Sequence, residues 1–107
     1  VVFASGYSET GDEKGKEAEE ELKTLAKELD IAVLGPNCGG FNNYVDDVIS
    51  FAFPVEKRDR KGSIGFISQS GQFCINLMDS GDMRFSYAIS IGNGKIVTLE
   101  DYLDFLV

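Results

Sequence analysis

A chain of 107 residues with 43% hydrophobic content has the length and composition of one small globular domain. Ten basic residues against 18 acidic ones give a net charge of -8, which opposes nucleic-acid binding, because that function needs a basic face toward phosphates. There is no histidine, which removes Ser-His-Asp catalysis and disfavours zinc chemistry.

No apolar run approaches the roughly 20 residues of a membrane span, and no membrane partner is expected. Two cysteines, Cys38 and Cys74, form neither a disulfide framework nor a metal-ligand spacing. A reducing, cytoplasmic setting fits that usage best. The chain opens on Val1-Val2-Phe3-Ala4 without a methionine and ends in what reads as an unfinished helix. A segment of a longer protein is therefore expected.

In chain order, residues 1–5 read as a short apolar strand leading to Gly6-Tyr7-Ser8-Glu9. A cap near Thr10 to Asp12 opens a helix with Ala18, Leu22, Leu25, Ala26 and Leu29 on one face. The opposite face is charged, with Glu19 and Lys23 spaced as an i,i+4 pair. Ile31-Ala32-Val33-Leu34 reads as a strand covered on both sides, completing a βαβ unit. It runs into Gly35-Pro36-Asn37-Cys38-Gly39-Gly40. Residues 41–50 look polar and irregular, with a short edge strand at Phe51-Ala52-Phe53.

The run from Val55 to Gly62 holds four of the ten basic residues and no core pattern, and reads as a linker. Residues 63–67 form a strand that meets Ser68-Gln69-Ser70-Gly71. A helix follows, with Phe73, Cys74, Leu77 and Met78 on one face and an end at Gly81. Residues 85–91 form a further strand into Gly92-Asn93-Gly94. Thr98-Leu99-Glu100-Asp101 resembles a capping box, with Leu99, Leu103 and Leu106 facing inward.

Two turns at the carboxyl ends of strands carry the chemical interest, because open α/β sheets place ligands there. The helix after Ser70 offers backbone N–H groups and the positive end of its dipole to an anion. Gly71 permits close approach, and the serine hydroxyls add donors. The same residues equally suit a plain helix cap without a ligand. No Gly-x-Ser-x-Gly surrounds either serine, so a hydrolase elbow is excluded. Cys38 has no basic neighbour in sequence to make a thiolate and reads as a small, semi-buried residue. Neither a Gly-x-Gly-x-x-Gly fingerprint nor a Walker loop is present, so direct NAD or P-loop ATP binding is unsupported.

Four motifs in order, Gly6-Tyr7-Ser8-Glu9, Gly35 to Gly40, Gly62 to Gly71 and Ser90-Ile91-Gly92-Asn93, resemble the NDP-forming acyl-CoA synthetases. These include ADP-forming acetate–CoA ligases and, more distantly, the α subunit of succinyl-CoA synthetase. The resemblance implies an α/β chain. A parallel-sheet, Rossmann-like half-domain, the C-terminal half of a CoA-binding domain, would occupy residues 1–55. A linker would follow at 56–61, and the start of a flavodoxin-like, succinyl-CoA synthetase-like domain at 62–107.

It further implies a parent ligase converting acid, CoA and NTP to acyl-CoA, NDP and phosphate through acyl-phosphate and phosphohistidine intermediates. Ser68, Ser70 and Gly71 would bind phosphate. Phe3, Ala4, Ser5, Gly6, Asn37 and Cys38 would bind coenzyme A, and Gly92 and Asn93 the substrate, a small carboxylic acid. The catalytic histidine would lie outside the chain, leaving no catalytic residue and no metal site within it. ADP or ATP with Mg2+ would bind the parent's remaining domains or a β subunit with an ATP-grasp domain, in an oligomer. Gly39-Gly40 departs from the bulkier residue usual after the cysteine, and Ile75 from the polar aromatic of succinate-using members. A non-catalytic CoA-binding or regulatory module on the same scaffold is the alternative.

Overall fold

A computed structural model describes residues 1–55 and 61–107. The linker expected at 56–61 falls, apart from Lys61, outside the described residues. A 3-10 turn at Ser8–Thr10 precedes helix α1, Glu13–Glu28. Strands β1, Gly40–Asn43, and β2, Val48–Phe51, follow. Then come β3, Lys61–Ser68, helix α2, Gly71–Asp79, β4, Phe85–Ser90, and helix α3, Leu99–Leu106. The sheet runs in the order β2-β1-β4-β3. β3 and β4 are parallel and joined through α2, as a βαβ unit requires, whereas β1 is antiparallel to both its neighbours.

The α/β architecture agrees with the sequence, but its strands are distributed differently at the amino end. Residues 1–5 and 31–34 lie beside each other without forming a ladder. Val2 N–H donates to Leu34 O at 2.9 Å and Asn37 N–H to Ala4 O at 2.9 Å. The expected covering on both sides is not found, since Val1, Phe3, Ile31 and Ala32 are exposed, and a ladder requires regular pairing that two isolated bonds do not supply.

The stretch read as irregular is instead the β1–β2 hairpin. Its turn is built by Asn43, whose Oδ1 accepts the N–H groups of Val45 at 3.0 Å and Asp46 at 3.1 Å. Asp47 completes it in the left-handed region, φ 57°. The edge strand expected at 51–53 ends at Phe51.

Helix α1 begins at Asp12, which accepts the Gly15 N–H at 2.7 Å. Its inward stripe is Gly15, Glu19 and Ala26, with Leu25 and Leu29 exposed. Glu19 is buried and makes no i,i+4 pair. Its Oε1 has no partner, and Lys16 pairs with Glu13 at 3.7 Å. Spacing of 15, 19 and 26 places Glu19 on the buried stripe, so the charge pattern gave way to the helical period.

Ala88 and Ile89, adjacent on β4, send side chains to opposite faces of the sheet. Ile89 joins Leu34, Cys38 and Ile91, and Ala88 joins Cys74 and Met78. The capping box on α3 is present, with Thr98 N–H to Asp101 Oδ2 at 2.7 Å. The inward face of α3 differs from expectation. Leu99 and Leu103 are exposed, whereas Tyr102 packs on the Leu34–Ile91 cluster and Phe105 meets Tyr87 edge-on at 5.4 Å. Of the expected stripe Leu106 does face inward, half-buried with its methyl groups over Gly65 of β3.

Candidate functional site

Ser68 and Ser90 are register partners at the carboxyl ends of the parallel strands β3 and β4. The Ile91 N–H donates back to Ser68 O at 2.8 Å, closing the strand ends side by side. Helix α2 starts immediately after this edge. Ser70 is its N-cap in extended backbone, φ -87° and ψ 117°, and its Oγ accepts the Phe73 N–H at 3.2 Å. Ser68 Oγ accepts the Ser70 N–H at 3.1 Å. Both hydroxyl oxygens therefore accept from backbone; the Ser70 O–H is left to donate elsewhere, and the Ser68 O–H lies within reach of the Cys74 sulfur. Gly71 N–H and Gln72 N–H have no partner among the described residues, as the first turn of a helix dictates.

The second turn packs against this helix start. The Gly39 N–H donates to the buried Ser90 Oγ at 2.9 Å. A Cβ built on Gly71 would lie 3.5 Å from Gly39 Cα, so the two glycines face each other at close range. A Cβ on Gly40 would stand 2.0 Å from Ser50 O, at φ +96°, so only glycine fits that position. The pair Gly39-Gly40 thus lets the turn press between β2 and α2.

Cys38 lies just inside this turn. It is buried, with its Sγ 3.4 Å from Val2 O and 3.7 Å from Leu34 O. Burial pushes its pKa up, and burial pushes that of Cys74 up to about 11. Neither thiol is activated as a nucleophile.

A third group gathers around Asn93. Its backbone N–H donates to Pro36 O at 3.0 Å, and its side chain meets both Asn37 and Glu9. Gly92 holds φ +59°, and a Cβ there would fall 2.3 Å from both Pro36 O and Asn37 O. Phe3, Ala4, Ser5 and Gly6 are exposed and border this group through the Asn37 N–H to Ala4 O bond. The residues expected to bind coenzyme A, phosphate and substrate therefore occupy one continuous edge, linked through Cys38 and Gly39.

Sequence reasoning assigned no role to Glu9 or Ser90. Slight desolvation pushes the Glu9 carboxyl up. The hydrogen bonds it accepts from Asn93, Gly6 and Tyr7 outweigh that effect and hold it at about 2. Its signal in the sequence is an acidic residue three positions after a glycine at the opening of a helical turn. An open cavity of about 390 Å³ lies elsewhere, between Leu34, Phe41, Tyr87, Ile89, Tyr102 and Phe105, and none of the expected site residues lines it. Among the described residues no helix is long and apolar enough to cross a membrane.

Residues 61–107 match the succinyl-CoA ligase like flavodoxin domain. Over all of its length the chain is 37% identical to acetate–CoA ligase [ADP-forming] II of Archaeoglobus fulgidus, of which it covers 16%. It is 34% identical to the α subunit of acetate–CoA ligase [ADP-forming] II of Pyrococcus furiosus, aligning 99% of this chain with 23% of that one. The solved dinucleotide forming acetyl-coenzyme A synthetase 1 of Ca. Korarchaeum cryptofilum, in complex with phosphate and ADP, superposes with a TM-score of 0.87 at 35% identity. That match covers 99% of this chain and 22% of that one. The chain thus spans between a sixth and a quarter of the relatives it matches. The chain is thus similar, over its own length, to a part of the ADP-forming acetate–CoA ligases, and its residues 61–107 match the succinyl-CoA ligase like flavodoxin domain family.

Proposed function

We propose that the chain forms part of an acyl-CoA synthetase of the NDP-forming type. The whole enzyme interconverts acid, CoA and NTP with acyl-CoA, NDP and phosphate, through an acyl phosphate and a phosphorylated histidine. Residues 1–55 act as the second half of the CoA-binding domain, 56–61 as a linker, and 62–107 as the opening half of the ligase domain. The phosphohistidine is supplied from outside these 107 residues, which contain no histidine. Nucleotide and Mg2+ bind on further domains or on an ATP-grasp β subunit, within a cytoplasmic oligomer.

The observation that carries this reading is the start of α2, where the Gly71 and Gln72 N–H groups face no partner among the described residues. Oriented N–H groups and a helix dipole stabilise the oxygens of a transferring phosphoryl group without reorganisation. The O–H groups of Ser68 and Ser70 add donors at the same place. Gly71 contributes no side chain, so an anion reaches the backbone. Phe3, Ala4, Ser5, Gly6, Asn37 and Cys38 serve coenzyme A, with Asn37 and Cys38 near its thiol. Gly92 and Asn93 serve the acyl group.

The test is formation of ATP by the intact protein from ADP, phosphate and a panel of acyl-CoA thioesters. CoA release coupled to ATP formation is expected. No CoA-coupled phosphoryl transfer with any thioester, and no phosphate density at Gly71 in phosphate-soaked crystals, would overturn the reading. A second reading of the same scaffold is a non-catalytic CoA-binding or regulatory module. Coenzyme A binding without turnover in the intact protein would select it.

A further inference from the structure

Three turns meet at the side chain of Asn93. Its Nδ2 donates to Glu9 Oε2 at 2.7 Å, with Ser8 Oγ at 3.5 Å. Its Oδ1 accepts from Asn37 Nδ2 at 3.3 Å. The other oxygen of Glu9, Oε1, accepts the N–H groups of Gly6 at 2.6 Å and Tyr7 at 3.2 Å. An ionised carboxylate accepts and never donates. Asn93 must therefore turn its Nδ2 toward Glu9 and its Oδ1 toward Asn37. Asn37 must in turn spend its Nδ2 on Asn93. What Asn37 turns away from Asn93 is Oδ1, an acceptor on an exposed side chain, without a partner among the described residues.

We propose that Glu9 is a positioning residue that acts through Asn93 to fix the amide polarity of Asn37. Asn37 thereby presents an acceptor to a hydrogen-bond donor on the ligand, an amide N–H or the thiol of a pantetheine arm. The inference rests on the synthetase reading above for the identity of that arm. Asn37 itself is held in place independently, by its N–H to Ala4 O bond and by the left-handed backbone at φ 55°. The relay thus sets which atom points outward, not where the residue stands.

Glu9→Gln makes the argument falsifiable because it reverses the relay. The backbone donors of Gly6 and Tyr7 keep the remaining amide oxygen, so Nε2 takes the place of Oε2. Asn93 then flips to offer Oδ1, and Asn37 flips to offer Nδ2 outward. Every bond is remade, so the melting temperature stays close to that of the starting protein, while a donor now meets a donor on the ligand.

Isothermal titration of the intact protein with coenzyme A reads the result. E9Q is expected to weaken binding about tenfold, the loss of one hydrogen bond, and Asn37→Ala about as much. The double variant is expected to lose no more than either single one, because both remove the same contact. Desulfo-CoA assigns the donor: an equal loss on this probe selects the amide N–H, and no loss selects the thiol. Unchanged affinity in E9Q at unchanged melting temperature overturns the inference, as do additive losses in the double variant. Should E9Q not fold, Asn93→Ala cuts the relay at its middle and is read the same way. Failure of the starting protein to bind coenzyme A would sink the synthetase reading and this inference with it. Binding that ignores E9Q sinks the inference alone.

Discussion

The N–H of Gly39 and the Oγ of Ser90, 51 residues apart, form a buried hydrogen bond of 2.9 Å that holds the first ligand-edge turn against the start of α2. Both partners are buried, so water does not replace the bond if it is lost. Ser90→Ala leaves the Gly39 N–H buried without an acceptor and is expected to cost about 1–3 kcal/mol. The urea unfolding midpoint of the intact protein checks this. An unchanged midpoint would mean that the turn is held by other contacts.

Gly92 is fixed by sterics from two directions. Its left-handed backbone disfavours any side chain, and a Cβ would enter the carbonyl oxygens of Pro36 and Asn37 at 2.3 Å. Backbone oxygens in a tight turn have little room to retreat. Gly92→Ala is expected to destabilise by at least about 1–3 kcal/mol and to lower coenzyme A affinity, because the displaced carbonyls belong to the same turn as Asn37. Thermal unfolding and titration measured on one sample check both. A stable variant with full affinity would show that the turn is not part of the site.

Gly71 makes the opposite case. Its backbone is not left-handed, and an added Cβ would find ordinary contacts, 3.5 Å to Gly39 Cα and 3.7 Å to Ser90 Oγ. Gly71→Ala is therefore expected to change stability by no more than about 0.5 kcal/mol. Its methyl stands beside the Gly71 N–H, one of the donors proposed to hold the phosphate. Weakened phosphate binding at preserved stability is the expected signature. Equal phosphate affinity would remove the helix start from the site.

Local features were more legible in the sequence than pairings across the sheet. Ser70 and the Thr98–Asp101 box were readable because capping is local, involving residues three apart. The β3–α2–β4 unit was readable for the same reason, its periods being contained in short windows. The β1–β2 hairpin was not, since its turn depends on Asn43 folding back on its own backbone within a polar stretch. Glu19 was misread because alternating charges outweighed a stripe carrying one carboxylate among small residues. Glu9 and Ser90 escaped because their partners, Asn93 and Gly39, lie 84 and 51 residues away.

Glu9 has a definite pH signature. Its folded-state value of about 2 lies below the roughly 4.3 of an unfolded glutamate, so the carboxylate contributes stability above the unfolded value. That contribution is lost as pH falls through the folded value. E9Q lacks the titrating group. Above about pH 5 the two unfolding midpoints are expected to stay close, and as pH falls toward about 2 that of the starting protein is expected to drop below that of E9Q. Midpoints that fell together over this range would show that Glu9 does not carry the shift. In the neutral range Glu9 stays ionised, so coenzyme A affinity gains no pH dependence from it.

The two thiols should be silent in the folded protein. Burial, working against weaker hydrogen bonds from Ser90 and Ser68, sets Cys74 at about 11, which leaves on the order of one thiolate in ten thousand at pH 7. Cys38 is also raised by burial, and its Sγ is turned toward the carbonyl oxygens of Val2 and Leu34. Iodoacetamide at neutral pH is expected to label neither cysteine in the native protein and both after denaturation, read by intact mass. Selective native labelling of Cys38 would reveal an activated thiol at the turn, and with it a covalent route that the present geometry does not support.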